Sequence, residues 1–273
     1  MGAPKRQQPY RAGGPPIYAA LAGRFPGQLV IVGFVNLPGR RALALGGAAV
    51  LVAAGATAAL AVGAPSAPRS HQASLPADGR TSATLEVVTG TRLLRVTVAD
   101  LGGTLLRAST PQDAPAPALE TAGHGDVLLS ESSGTSAVTV TLNDAVSWQL
   151  DFGGGTEQTT ADLRGAKISA ISFTAGSDII DLLLPRPGAM VPVRLAGGAS
   201  QFLLSVPGGV ALRVAAGGGA GEVSVDGADY TGVGGGTVFA TRGWSATGAG
   251  FDIEATAGAA RIAVTVEPTA APR

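Results

Sequence analysis

The chain has no cysteine among its 273 residues. Disulfides, thiolate metal sites, lipidation through cysteine and a cysteine nucleophile are therefore excluded. Burial and hydrogen bonding must hold the fold together. Aromatic residues make up 4% of the chain, and the two tryptophans are Trp148 and Trp244. Two histidines, His71 and His124, are too few for a usual zinc site. No G-x-S-x-G nucleophile elbow occurs. The run GVGGG at 232–236 lacks the Lys-Ser/Thr of a phosphate loop. The sequence thus predicts no enzyme, no catalytic residue, no metal ligand and no cofactor.

Acidic residues are missing from the first 77 positions, Asp78 being the first. Six cations (Lys5, Arg6, Arg11, Arg24, Arg40 and Arg41) precede an uncharged stretch at 42–64. At about 1.5 Å per residue this stretch makes a helix long enough to cross a hydrocarbon core of about 30 Å. Positive charge on one side predicts a single span with its N-terminus in the cytoplasm and everything beyond it outside. A cleaved signal peptide is the rival reading. The span exceeds the usual apolar length of such peptides, and Pro65 and Pro68 crowd the small-residue sites. Residues 1–41, rich in Pro, Gly and basic side chains, read as a disordered cytoplasmic tail attracted to anionic lipid.

The exported part keeps thirteen basic residues against all nineteen acids, a formal −6. Nucleic acid, whose binders need a basic footprint, is not an expected partner. Residues 65–83 (PSAPRSHQASLPADGRTSA) read as an extended linker containing His71. Residues 268–273 read as a second disordered tail. Between them, 84–267 shows period-2 patterning: Leu94, Val96 and Val98 alternate with Arg95 and Thr97, and Val138, Val140 and Leu142 with Thr139 and Thr141. The segment 109–125, containing His124, reads as a loop.

The second half repeats itself. FTAGSDIIDLLLPRPGAMVPVR from Phe173 is followed by LAGGASQFLLSVPGGVALRV from Leu195. Gly176 matches Gly198 and Pro185 matches Pro207, with Val191-Val193-Leu195 set against Val210-Leu212-Val214. Weaker copies occupy 215–226 and 255–266, and 148–165 reads as an earlier, degenerate one. A period of about 20–23 residues implies one supersecondary unit per repeat. Two short strands per unit predict an all-β, β-solenoid-like domain, with an antiparallel β-sandwich as the alternative.

The pattern Gly198, Ala199, Ser200, Leu203, Pro207, together with Val146-x-Trp148 before the Gly-rich repeats, resembles the "toast rack" β-domains of bacterial envelope proteins. Related domains occur in the cell-wall-active-antibiotic response proteins. The resemblance implies an extracytoplasmic β-repeat domain with a part in envelope-stress signalling. Those proteins usually carry several membrane helices, and this chain shows one.

Asp178 and Asp181, three apart on a strand, point to opposite faces and do not form a catalytic pair. Asp226-Gly227 reads as a tight hairpin turn. Trp244, with Tyr230 as its neighbour, is the candidate ligand contact, by stacking on carbohydrate. The resulting expectation is a membrane-anchored, non-enzymatic interaction protein of the envelope, either a scaffold or a stress sensor. Its expected partners are the cytoplasmic membrane, another membrane protein, a cell-wall polymer or a second copy of itself. A glycan-binding or carbohydrate-active protein is the alternative.

Overall fold

The structure, a computed structural model, describes residues 70–122, 126–130 and 136–267. The basic tail, the apolar stretch 42–64, the start of the linker, His124 and residues 268–273 lie outside them. Among the described residues no helix is long and apolar enough to cross a membrane.

The described chain is all strand and turn. It begins with β1 (Ser70–Pro76), β2 (Ser82–Val87), β3 (Thr91–Ala99), β4 (Thr104–Pro111), β5 (Ala118–Thr121) and β6 (Asp126–Ser130). There follow β7 (Ala137–Asn143), β8 (Ser147–Phe152), β9 (Thr156–Asp162), β10 (Lys167–Phe173), β11 (Ser177–Leu183), β12 (Met190–Leu195) and β13 (Ala199–Pro207). The last are β14 (Ala211–Ala216), β15 (Ala220–Val225), β16 (Ala228–Val233), β17 (Thr237–Ala240), β18 (Gly250–Ala255) and β19 (Ala259–Glu267).

Two sheets form. The ten-stranded sheet has the order β1-β4-β7-β3-β9-β11-β13-β19-β15-β16, and the nine-stranded sheet β17-β14-β18-β12-β10-β8-β2-β6-β5. The chain alternates between them: β8 then β9, β10 then β11, β12 then β13. Interior neighbours pair in parallel, for example β9 with β11 and β11 with β13. Antiparallel pairs close the two ends. Two units sit out of chain order. β6/β7 lies outside β2/β3, and β18/β19 is inserted between β12/β13 and β14/β15.

Alternation explains the core. In β13, Phe202, Leu204 and Val206 are buried while Leu203 and Ser205 are half-buried. In-register pairing then stacks like on like, so that Ile180, Phe202, Ile262 and Val223 form one buried column. Phe152 stacks on Phe173 at 4.5 Å, and Phe173 meets Phe202 edge-on at 6.3 Å. Each such ring buries some 150–250 Å² of surface, mostly apolar, at about 25 cal/mol per Å². Trp148 is fully buried and donates its indole N–H to the Asn143 carbonyl at 2.9 Å.

The structure departs from the sequence reading in three places. Ser70–Pro76, inside the expected linker, is strand β1, which pairs with β4 and buries Leu75 opposite Leu106. One apolar side chain and a backbone ladder suffice there, although composition marks the segment as solvated. The expected loop 109–125 contains the end of β4 and all of β5, whose Leu119 is buried opposite Leu129. The repeat register also slips by two. Through Phe251, Val191 corresponds to Leu212 and not to Val210. A slip of two preserves which face each side chain takes, so sequence matching does not detect it.

Candidate interaction surface

One edge of the paired sheets is built from corners. Each carries the chain from the nine-stranded to the ten-stranded sheet through three residues, the last a glycine: 88–90, 153–155, 174–176, 196–198, 217–219 and 256–258. The parallel ladder continues through them. Thr91 N–H donates to Gly155 O at 3.1 Å, Ser177 N–H to Gly198 O at 3.1 Å and Ala259 N–H to Gly219 O at 3.3 Å. Beside the glycines Thr156 Oγ1 lies 2.6 Å from Ser177 Oγ and 2.8 Å from Thr159 Oγ1. The corner bears two shallow grooves. One, of about 330 Å³, is lined by Gly176, Ser177, Asp178, Gly198 and Ser200. The other, of about 530 Å³, is lined by Gly219, Gly221, Gly235 and Ala259. They offer backbone and hydroxyl groups and, in Asp178, a single titratable one.

The outward face of the ten-stranded sheet is a set of in-register rows. One row crosses the sheet as Thr139, Arg95, Thr160, Asp181, Leu203 and Ala263. Neighbouring members are about 4.8 Å apart, the strand spacing. Asp181 belongs to this row, while Asp178 sits at the corner on the other parity.

The outward face of the nine-stranded sheet has opposite character at its two ends. Near β2, burial and then the charges of Asp151 and Asp126 push the Glu86 carboxyl above its ordinary range. Near β14, Arg213 pairs with Asp252 at 2.6 Å and Arg194 with Glu254 at 3.8 Å. Among the described residues no group of three or more His, Cys, Asp or Glu side chains is placed to hold a metal ion.

Trp244 lies in the loop between β17 and β18, with the Arg213 guanidinium 5.8 Å from its ring centroid. Its indole N–H is buried and has no hydrogen-bond partner among the described residues. Tyr230, 44% exposed on the terminal strand β16, packs on Phe239 at 4.7 Å. The register separates the two candidates. Phe239 is opposite the buried Val214, whereas Arg213 is opposite Ala240 on the outward side. Tyr230 therefore helps close the end of the sheets and Trp244 lies on an outer face, so they do not form one platform. Arg213, Asp252 and Phe239 complete these two clusters. No local pattern in the sequence marks them, because each meets its partner across 9 to 39 residues.

No family model and no curated protein matches this sequence. Solved structures that match this chain include two described as adhesion proteins. A structure described as a "putative cell adhesion protein" from Clostridium sporogenes is 17% identical, with a TM-score of 0.53, over 74% of this chain and all of that one. A "putative adhesin" from Bacteroides fragilis is 10% identical, with a TM-score of 0.30, over 72% of this chain and 98% of that one. The first is a likeness of fold. The second is too distant in shape to carry an argument. Neither is described as an antibiotic-response protein.

Proposed function

We propose that this chain is a membrane-anchored, extracytoplasmic interaction protein, adhesive in role, that displays a two-sheeted β-solenoid to a partner outside the cytoplasmic membrane. The observation that carries the reading is the in-register outward row through Arg95, Thr160, Asp181 and Leu203. Parallel units repeat their side chains at a fixed spacing, which suits recognition of an extended partner along the stack. The likeness in fold to a structure described as a cell adhesion protein supports the same role. The one-sided charge around residues 42–64 supports the anchor and the outward placement. An envelope scaffold or a stress-sensing regulator is the finer form of this role, and both act by binding another envelope component.

The test is in-cell crosslinking of the full chain followed by mass spectrometry, with Asp181→Lys and Arg95→Glu as face variants. A reproducible envelope partner that both variants lose is the expected result. An unchanged partner set in both variants, or crosslinks to cytoplasmic proteins alone, overturns the reading.

A further inference from the structure

The nine-stranded sheet is split at one place. β10 pairs with β8 from Lys167 onward, with a register shift between Ile168 and Ala170. Its pairing with β12 begins only at Ile171 opposite Val193. Met190, Val191 and Pro192 meanwhile pair with β18 on their other side. The two strands therefore separate over their first residues. Pro192 has no N–H to bridge the gap, and a bulge such as that in β10 re-aims side chains and ends pairing. The connection that rims this opening, residues 184–189, is longer than its counterparts 163–166 and 208–210 at the same end of the sheets. The result is a cavity of about 430 Å³, within the usual range for small-molecule sites.

Its chemistry is one-sided. Lys167 and Arg186 line it, and no carboxylate does. Lys167 Nζ donates to Ala145 O at 3.1 Å and Arg186 Nη2 to Gly208 O at 2.7 Å. Each cation is thus steadied by one hydrogen bond and keeps further donors, since an ammonium has three and a guanidinium five. Ile168, Pro187 and Met190 supply apolar wall. We infer that this cleft binds an anionic head group, phosphate or carboxylate, carried on an apolar stem. The head is held by Lys167 and Arg186, and the stem lies along Ile168 and Met190. This site is separate from the outward row of the ten-stranded sheet and does not depend on the adhesive reading.

The experiment is calorimetric titration of the full chain in zwitterionic nanodiscs, with empty nanodiscs subtracted. The probes are hexyl phosphate, hexanoate, inorganic phosphate and hexyl glucoside. Hexyl phosphate or hexanoate should bind at least tenfold more tightly than either inorganic phosphate or the neutral glucoside. The double variant Lys167→Gln/Arg186→Gln should lose that preference. Gly188→Phe is the second variant. A Cβ there meets nothing within 4 Å, so the ring can fill the mouth without disturbing the backbone, and it should weaken hexyl phosphate at least tenfold. Equal binding of inorganic phosphate and hexyl phosphate overturns the stem. Equal binding of hexyl phosphate, hexanoate and hexyl glucoside overturns the anionic head. Affinity unchanged in both variants overturns the site.

Discussion

Gly197 packs directly on the backbone of Ala175, where a Cβ at position 197 would stand 2.1 Å from both the carbonyl carbon and the carbonyl oxygen of Ala175. Backbone cannot retreat as a flexible side chain can. Gly197→Ala is therefore expected to destabilise the fold by about 3 kcal/mol, toward the upper end of overpacking effects. Gly188→Ala, where the added methyl meets nothing, should change stability by less than about 1 kcal/mol. Urea unfolding midpoints of the two variants check this, and equal midpoints would contradict the close approach.

Asn143 ties three segments together. Its Nδ2 donates to Gly102 O at 2.9 Å and Thr104 O at 2.6 Å, and its Oδ1 accepts from Ala145 N–H at 2.9 Å. The residue is buried. Asn143→Leu should destabilise by about 2–4 kcal/mol, because each buried group left unpaired costs about 1–3 kcal/mol. Faster hydrogen exchange at Ala145, whose N–H loses its acceptor, would accompany it.

Glu86 makes stability depend on pH. Burial, then Asp151 and Asp126, raise its pKa above the ordinary 4.5, so the folded state holds the proton more tightly than the unfolded one. Stability contributed by this group is therefore lost as pH rises from about 4.5 through the raised folded value. Glu86→Gln should be more stable than the parent chain at about pH 7, by only ~0.3 kcal/mol because the carboxyl is partly solvated. The gain should vanish below about pH 4. Thermal unfolding of both proteins across that range checks the sign, and a parent chain more stable than the variant at neutral pH would refute it.

Trp244 is tied to Arg213 by a cation–aromatic contact on an outer face. Trp244→Ala should lower stability by about 0.5–1 kcal/mol if the contact is structural only. If Trp244 stacks on a glycan, the variant also loses retention on purified cell-wall material while Tyr230→Ala, at the closed end of the sheets, retains it. A cosedimentation assay with the full chain separates the two outcomes.

Several of these features were legible in the sequence. Period-2 alternation set Val138, Val140 and Leu142 on one face, and all three are buried, because a strand has two faces and only one meets the core. Asp226-Gly227 announced its hairpin, and both residues take positive φ, 51° and 77°, between the paired Val225 and Ala228. The segments β1 and β5 were not legible, because each contributes one deeply buried leucine and owes its place to a partner strand elsewhere in the chain. The split between β10 and β12 was equally hidden. It depends on where pairing stops between strands that never touch in sequence.

The sequence by itself determined the unit: two short strands, a recurring glycine between them, and an apolar face at every second position. It could not determine the order in which units stack. Along the chain the middle corner residues run Thr89, Gly154, Ala175, Gly197, Gly218, Ala257, with two glycines together. In space β18/β19 stands between β12/β13 and β14/β15, and the order becomes Thr89, Gly154, Ala175, Gly197, Ala257, Gly218. There each glycine lies against the backbone of a residue that keeps its side chain: Gly154 on Thr89, Gly197 on Ala175, Gly218 on Ala257. Local sequence sets strands and turns through the preferences of a few neighbouring residues. The choice of neighbour rests on close backbone approach between residues tens of positions apart, and only the assembled stack brings those together.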